Sequence, residues 1–334
     1  MKICSSFKIF ILGFCFVLTS CGQNEEKEVQ SAIVSAVLHL TNGDCDKAIE
    51  SINSIAYQHK DSKYIKTYAS AYACRAGFST PRFFASDLEK IGDPSTLGGH
   101  ARFSTSPTMI EPRHESFEDM QIAVDALLYA GGIERFREPT IARRAAQFSS
   151  RELLELHSQL FYFTMAQLGR YLFYYGNARD GIKGDGVGIN GCFANYTGAV
   201  TLNLPPPVGN TDIASFLGTG VTGSCVWGAA VGHPQLGITG SLNVQRMCQG
   251  VVLLNNMLEL LPVILNDISG DEFGEIRSIS GLLDDAQEAL STISPTAEQN
   301  IFKVMSQESC VEKNTDDTSD LQRYFAFMFE TLME

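Results

Sequence analysis

The motifs that most often announce chemistry are missing from these 334 residues. No Gly-x-Ser-x-Gly elbow, no phosphate loop and no dinucleotide fingerprint set between a strand and a helix is present. Their absence closes the usual sequence routes to a hydrolase, a nucleotide-hydrolysing enzyme and a nicotinamide enzyme. Histidine is scarce, six in all, and its scatter offers no metal-ligand spacing. His114-Glu115-Ser116-Phe117-Glu118 lacks the second histidine of a zinc helix. The stretch Asp180 to Asn190 has the Asp and Gly of a calcium loop, but Ile182 and Gly184 stand where oxygen ligands are needed. No cofactor is expected. Catalytic groups can converge in space, so these absences argue against an enzyme without excluding one.

Basic residues are also few, 25 against 38 acidic ones, for a net charge of −13. Nucleic-acid binding needs a basic footprint and is not expected; nor is docking on anionic lipid through lysine and arginine. After residue 20 no run of 18 apolar residues occurs. The best candidate, Val251 to Leu265, carries Asn255, Asn256, Glu259 and Pro262 and reads as a buried core helix. Tryptophan occurs once, at Trp227.

What is present starts at the N-terminus. Lys2 and Lys8 flank or precede an apolar core from Ile9 to Leu18, and the small residues Thr19 and Ser20 lead to Cys21. The pattern is a secretory signal, with a core too short to span a bilayer. Leu18-Thr19-Ser20-Cys21 resembles the lipobox of bacterial lipoproteins. The resemblance implies cleavage before Cys21 and acylation of its thiol and new amine, and two or three chains hold a protein at a membrane. Gly22, where an Asp tends to retain such proteins in the inner membrane, points to the outer membrane, with the face open. Residues 1–20 are then signal and 21–28 the lipidated N-terminus and spacer. Loss of Lys2 and Lys8 moves the net charge from −13 to −15.

Residues 29–334 read as a mainly α domain. Val29, Ile33, Val34, Val37, Leu38 and Leu40 recur at helical spacing, and Asn42-Gly43-Asp44 breaks that helix and caps the next. Gly43-Asp44-Cys45-Asp46-Lys47-Ala48-Ile49 resembles the inter-helix turn of tetratricopeptide repeats, which implies stacked helical hairpins, continued by Lys63–Gly77 and Pro81–Ile91. The Trp, Leu-Gly and Tyr of a full repeat are missing. Further helices are expected at Ser116–Ala130, Pro139–Phe148, Ser150–Tyr175, Leu242–Asn266, Phe273–Ile293, Thr296–Ser309 and Leu321–Leu332, with Pro262 kinking or ending its helix. The Ser150–Tyr175 helix has aromatics on all sides, as a central buried helix does. The same rings would serve a pocket, so Phe161, Tyr171 and Tyr175 join Trp227 as candidate ligand or partner contacts.

Residues 176–240 differ from the rest. They hold 15 of the 29 glycines and the run Pro205-Pro206-Pro207, and Asp212 is the one charged residue between Gly186 and Gln245. A solvated linker would be charged, so an ordered, Gly-rich insertion is expected, with a strand near Val200–Leu204 and a helical turn at Ile213–Leu217. After Cys21 six cysteines remain. In an oxidising compartment they suggest disulfides, with fifteen connectivities open. Chain position favours Cys45 with Cys74 against two free thiols, and leaves Cys192 with Cys225 and Cys248 with Cys310 as further candidate pairs.

The leading expectation is a non-enzymatic envelope lipoprotein that binds a protein partner or a small ligand. One alternative is a hydrolase beneath the insertion. Gly223-Ser224-Cys225-Val226-Trp227 resembles the nucleophile segment of papain-like proteases apart from the extra Val226, with His233 and Asp212 as neighbours in sequence. The other is an assembly or transport accessory that uses the insertion as a contact.

Overall fold

The computed structural model describes residues 25–111, 113–186, 191–197, 200–203, 210–218, 225, 232–238, 241–267 and 301–333. These are mainly helical. Helix α1 covers residues 25–41 and is followed by α2 (Cys45–Ile52) and α3 (Ser62–Arg75). Then come α4 (Glu115–Leu128), the short α5 (Ile141–Ala145) and the 26-residue α6 (Ser150–Tyr175). The insertion contributes α7 (Ile213–Gly218), and the chain ends with α8 (Val244–Asp267), α9 (Gln307–Asn314) and α10 (Ser319–Tyr324), the last continued to Leu332.

Local chemistry sets these boundaries. Gly43 takes φ +76° at the end of α1, a region open to glycine. Asp61 caps α3 by accepting from the amides of Lys63 and Tyr64 at 2.9 and 3.0 Å. Glu152 reaches back to the amide of Ser149 at 3.1 Å to start α6, and its other oxygen accepts from Ser62 at 2.7 Å. One carboxylate thereby ties the first turns of α3 and α6 together.

Helix α6 is the spine. Leu160, Phe161, Leu168, Tyr171, Leu172 and Tyr175 are all buried, and α4, α8 and the turn Gly98–Ala101 pack on it. Each such side chain contributes about 1.5–3 kcal/mol on burial. Two glycines permit the closest approaches. A Cβ on Gly169 would stand 2.2 Å from the carbonyl oxygen of His100, and one on Gly250 of α8 would stand 2.7 Å from the Tyr171 ring. Among the described residues α8 is the one helix long and apolar enough to cross a membrane, and 72% of its apolar window is buried inside the protein. It is a core helix here.

The disulfides are Cys45–Cys74, Cys192–Cys225 and Cys248–Cys310. They join α2 to α3, the two halves of the insertion, and α8 to α9. Inside the insertion β1 (Thr201–Asn203) pairs antiparallel with β2 (Asn210–Asp212), and β3 (Gly237–Ile238) pairs with β4 (Ser241–Leu242) just past its end.

Several boundaries differ from expectation. Residues 81–91 form no single helix: Thr80–Arg82 passes into a π turn, Phe83–Asp87, and a 3-10 turn, Leu88–Lys90. Buried Asp87, where the π turn meets the 3-10 turn, accepts from the amide and hydroxyl of Ser104 and from Lys90. Helix α8 runs through Pro262, whose ring lies on an exposed face of the helix. The helix expected at Thr296–Ser309 is, where described, a turn at Ile301–Lys303 and then α9, which starts only after Ser306 caps it through the amide of Ser309. Phe273–Ile293 lies outside the described residues.

Candidate functional site

Three tyrosines on α3, Tyr64, Tyr68 and Tyr72, follow one another every four residues and so share a face. Tyr57, in the loop before α3, sets its ring edge-on to Tyr64 at 5.4 Å and to Tyr68 at 5.0 Å. The Tyr64 hydroxyl donates to the carbonyl of Ile52 at 3.1 Å, which fixes the stack on α2. Facing it, Ile122, Asp125, Ala126 and Tyr129 recur at three- and four-residue intervals along α4. Between the two walls lies an open cleft of about 540 Å³, lined by Tyr57, Tyr68 and Tyr129 together with those residues.

The floor is built by the turn that ends α4. Gly131 and Gly132 take φ +86° and +77°, and the Gly131 amide donates to the carbonyl of His59 at 2.8 Å. The chain then doubles back and places Arg135 over the cleft. One guanidinium nitrogen donates to Asp125 Oδ2 at 2.9 Å, and the guanidinium carbon lies 5.5 Å from the centre of the Tyr129 ring. Gln121 donates to the other Asp125 oxygen at 2.8 Å. Glu138 anchors this loop to the start of α9 by accepting from the amides of Met305 at 2.6 Å and Ser306 at 2.8 Å.

Burial raises the Asp125 carboxyl above its ordinary range, while the Arg135 guanidinium and Gln121 pull it back. Burial also raises the hydroxyls of Tyr57, Tyr68 and Tyr129, so all three stay neutral donors. Beyond the ion pair lies a second cavity of about 240 Å³, with Arg246 and Gln249 of α8 and Glu308 of α9 in its wall. Asp125, Tyr129 and Arg135 line both spaces. The ion pair is the partition between them.

None of these residues stood out in the sequence. Of those that did, Phe161, Tyr171 and Tyr175 are at most 1% exposed and pack in the core, lining neither cavity. The Tyr171 hydroxyl donates to the carbonyl of Arg246 at 3.0 Å. Cys21 and Trp227 lie outside the described residues. Cys225 is bonded to Cys192 and has no thiol to act as a nucleophile. His233 packs against Tyr174 and Tyr175 at 4.8 and 5.3 Å, and burial lowers its imidazole to about 4. Asp212 caps α7 through the amide and hydroxyl of Ser215. The structure thus engages all three hydrolase candidates elsewhere.

Two further clusters have the look of sites. Asp185 accepts from the amides of Arg179 at 2.6 Å and Asp180 at 2.8 Å, which closes its own turn. Cys192, Cys225 and Glu330 bring their ligand atoms within 4.8 Å of one another. There, however, the sulfurs are bonded to each other, and the Lys183 ammonium lies 2.6 Å from the carboxylate. Glu330 also accepts from the amide of Phe193 at 2.7 Å and the hydroxyl of Tyr196 at 2.5 Å. This centre pins the insertion to the C-terminal helix. Compared with known proteins, the chain matches no family model, no curated protein and no solved structure.

Proposed function

We propose that the chain is a lipid-anchored envelope protein that binds a small ligand in the cleft between α3, α4 and the Arg135 loop, without chemistry on it. The observation that carries the reading is the cleft itself. About 540 Å³ of open space is walled by half-buried tyrosines and fitted with one charged pair. Sites for small molecules have this make-up, apolar and aromatic walls with a few placed polar groups. The likeness of Leu18-Thr19-Ser20-Cys21 to a lipobox supports the anchor, and Gly22 supports the outer membrane. The even set of six later cysteines, all paired, suits an oxidising compartment. The turn-like likeness of residues 43–49 to tetratricopeptide repeats fits a protein that binds rather than transforms.

Two experiments test the two halves. Radiolabelled palmitate should enter the chain in cells and fail to enter a Cys21→Ser variant; equal labelling of both rejects the anchor. Thermal denaturation should be run against a panel of small amines, sugars and carboxylates. At least one class should raise the midpoint, and Tyr68→Ala should remove the rise. A silent panel rejects the cleft as a ligand site.

A further inference from the structure

The cleft already holds a cation of the protein's own. Arg135 pairs with Asp125 and lies over Tyr129, yet its side chain is 62% exposed while that of Asp125 is 18% exposed. The carboxylate and the ring therefore belong to the wall, and the guanidinium reaches in from the solvent side. Its backbone is held independently: the Ser306 hydroxyl donates to the Arg135 carbonyl, and Glu138 holds the segment to α9. The guanidinium can swing out while the loop stays in place. The guanidinium side of the pair is open to water, which weakens its hold on Asp125.

With Arg135 withdrawn, Tyr57, Tyr68 and Tyr129 share one cleft with the Asp125 carboxylate and Glu134. Aromatic faces attract cations through the ring quadrupole, and the attraction grows as water is excluded. Arg135 is the one lysine or arginine among the cleft's lining residues, and the whole chain carries −13. A negative field of that kind draws cations and repels anions. An anionic ligand would gain Arg135 but meet Asp125, while Glu134 is already paired with Arg137 at 2.9 Å.

We propose that the cleft takes an organic cation, an amine or quaternary ammonium on a small apolar body, which displaces Arg135 from Asp125 and Tyr129. The inference rests on the reading of the cleft as a ligand site and adds the ligand's charge. Arg135 is then an internal competitor, and its removal should strengthen binding.

The test titrates choline and its uncharged carbon isostere, 3,3-dimethylbutan-1-ol, into the full chain by calorimetry. Choline should bind more tightly than the isostere by roughly tenfold, the scale of a partly desolvated cation–π contact. Arg135→Ala should tighten choline several-fold, and Asp125→Asn should weaken it by roughly tenfold or more. If Asp125→Asn fails to fold, the exposed Arg135→Gln variant and the isostere comparison carry the test. Equal affinity for choline and the isostere, with both lost in Tyr68→Ala, leaves the cleft a ligand site and overturns its charge preference. Weaker choline binding in Arg135→Ala overturns it as well. If neither probe binds wild type or Arg135→Ala, the cation inference falls, and the panel of the preceding section then decides whether the cleft binds anything.

Discussion

The molecule uses the same three kinds of side chain twice, once sealed and once open. At the insertion, Tyr196, Glu330 and Lys183 meet where the lysine and glutamate side chains are 1% and 0% exposed. At the cleft, Tyr129, Asp125 and Arg135 meet where the arginine is 62% exposed. A buried charge must be paired, since water cannot compensate it, so the sealed set fixes structure. In the open set only the arginine stands in water, so the partner of the half-sealed Asp125 can be exchanged while Gln121 still donates to it. Residue type alone does not mark a site; access to solvent separates the two.

Breaking the sealed pair should have the largest effect. Lys183→Met leaves the Glu330 carboxylate buried without its counter-ion and should destabilise the fold by about 3–5 kcal/mol in urea denaturation. A loss below about 1 kcal/mol would mean that the centre is wetter than its burial implies. Replacing Cys192 and Cys225 together by serine should cost about 2–4 kcal/mol by the same measurement, because the cross-link restrains the unfolded insertion.

Buried histidines should also carry a pH signature. Burial lowers His233 and His157 from 6.5 to about 4, so the unfolded chain binds protons that the folded chain refuses. Their contribution is complete above pH 6.5 and is lost as pH falls toward 4. The thermal midpoint should drop across that window, and His233→Gln should flatten part of the drop; an unchanged slope would remove His233 from the explanation. The smallest effect is expected at the cleft. Arg135→Ala should change stability by about 1 kcal/mol in urea denaturation, because the guanidinium is exposed and Gln121 still donates to Asp125.

Much of the fold could be read from the sequence, because it depends on local signals. The Ser150–Tyr175 helix matches to the residue, with Glu152 at its start and Gly176 at its end. Val200–Leu204 and Ile213–Leu217 gave a strand and a helical turn at β1 and α7. Chain position favoured the Cys45–Cys74 pair and made the other two candidates, and all three are bonded. The cleft was hidden because it forms between segments far apart in sequence. The spacing of Ile122, Asp125, Ala126 and Tyr129 describes a helix face, and nothing local says that Tyr57 and Tyr68 stand opposite it. Density of aromatics pointed instead to Phe161, Tyr171 and Tyr175, which are numerous because the central helix is enclosed on several sides. The signal that would have helped is the Tyr64, Tyr68, Tyr72 stripe, whose polar rings sit at positions where a plain core stripe has aliphatic residues.

The most direct test labels the tyrosine rings with carbon-13 and follows their nuclear magnetic resonance signals as tetramethylammonium is added. The signals of Tyr57, Tyr68 and Tyr129 should move together and saturate, at lower concentration in Arg135→Ala, while those of Tyr171, Tyr175 and Tyr196 stay fixed. Movement of the core rings, or no saturable movement of the cleft rings in either protein, would contradict the assignment of the open set as the cation site.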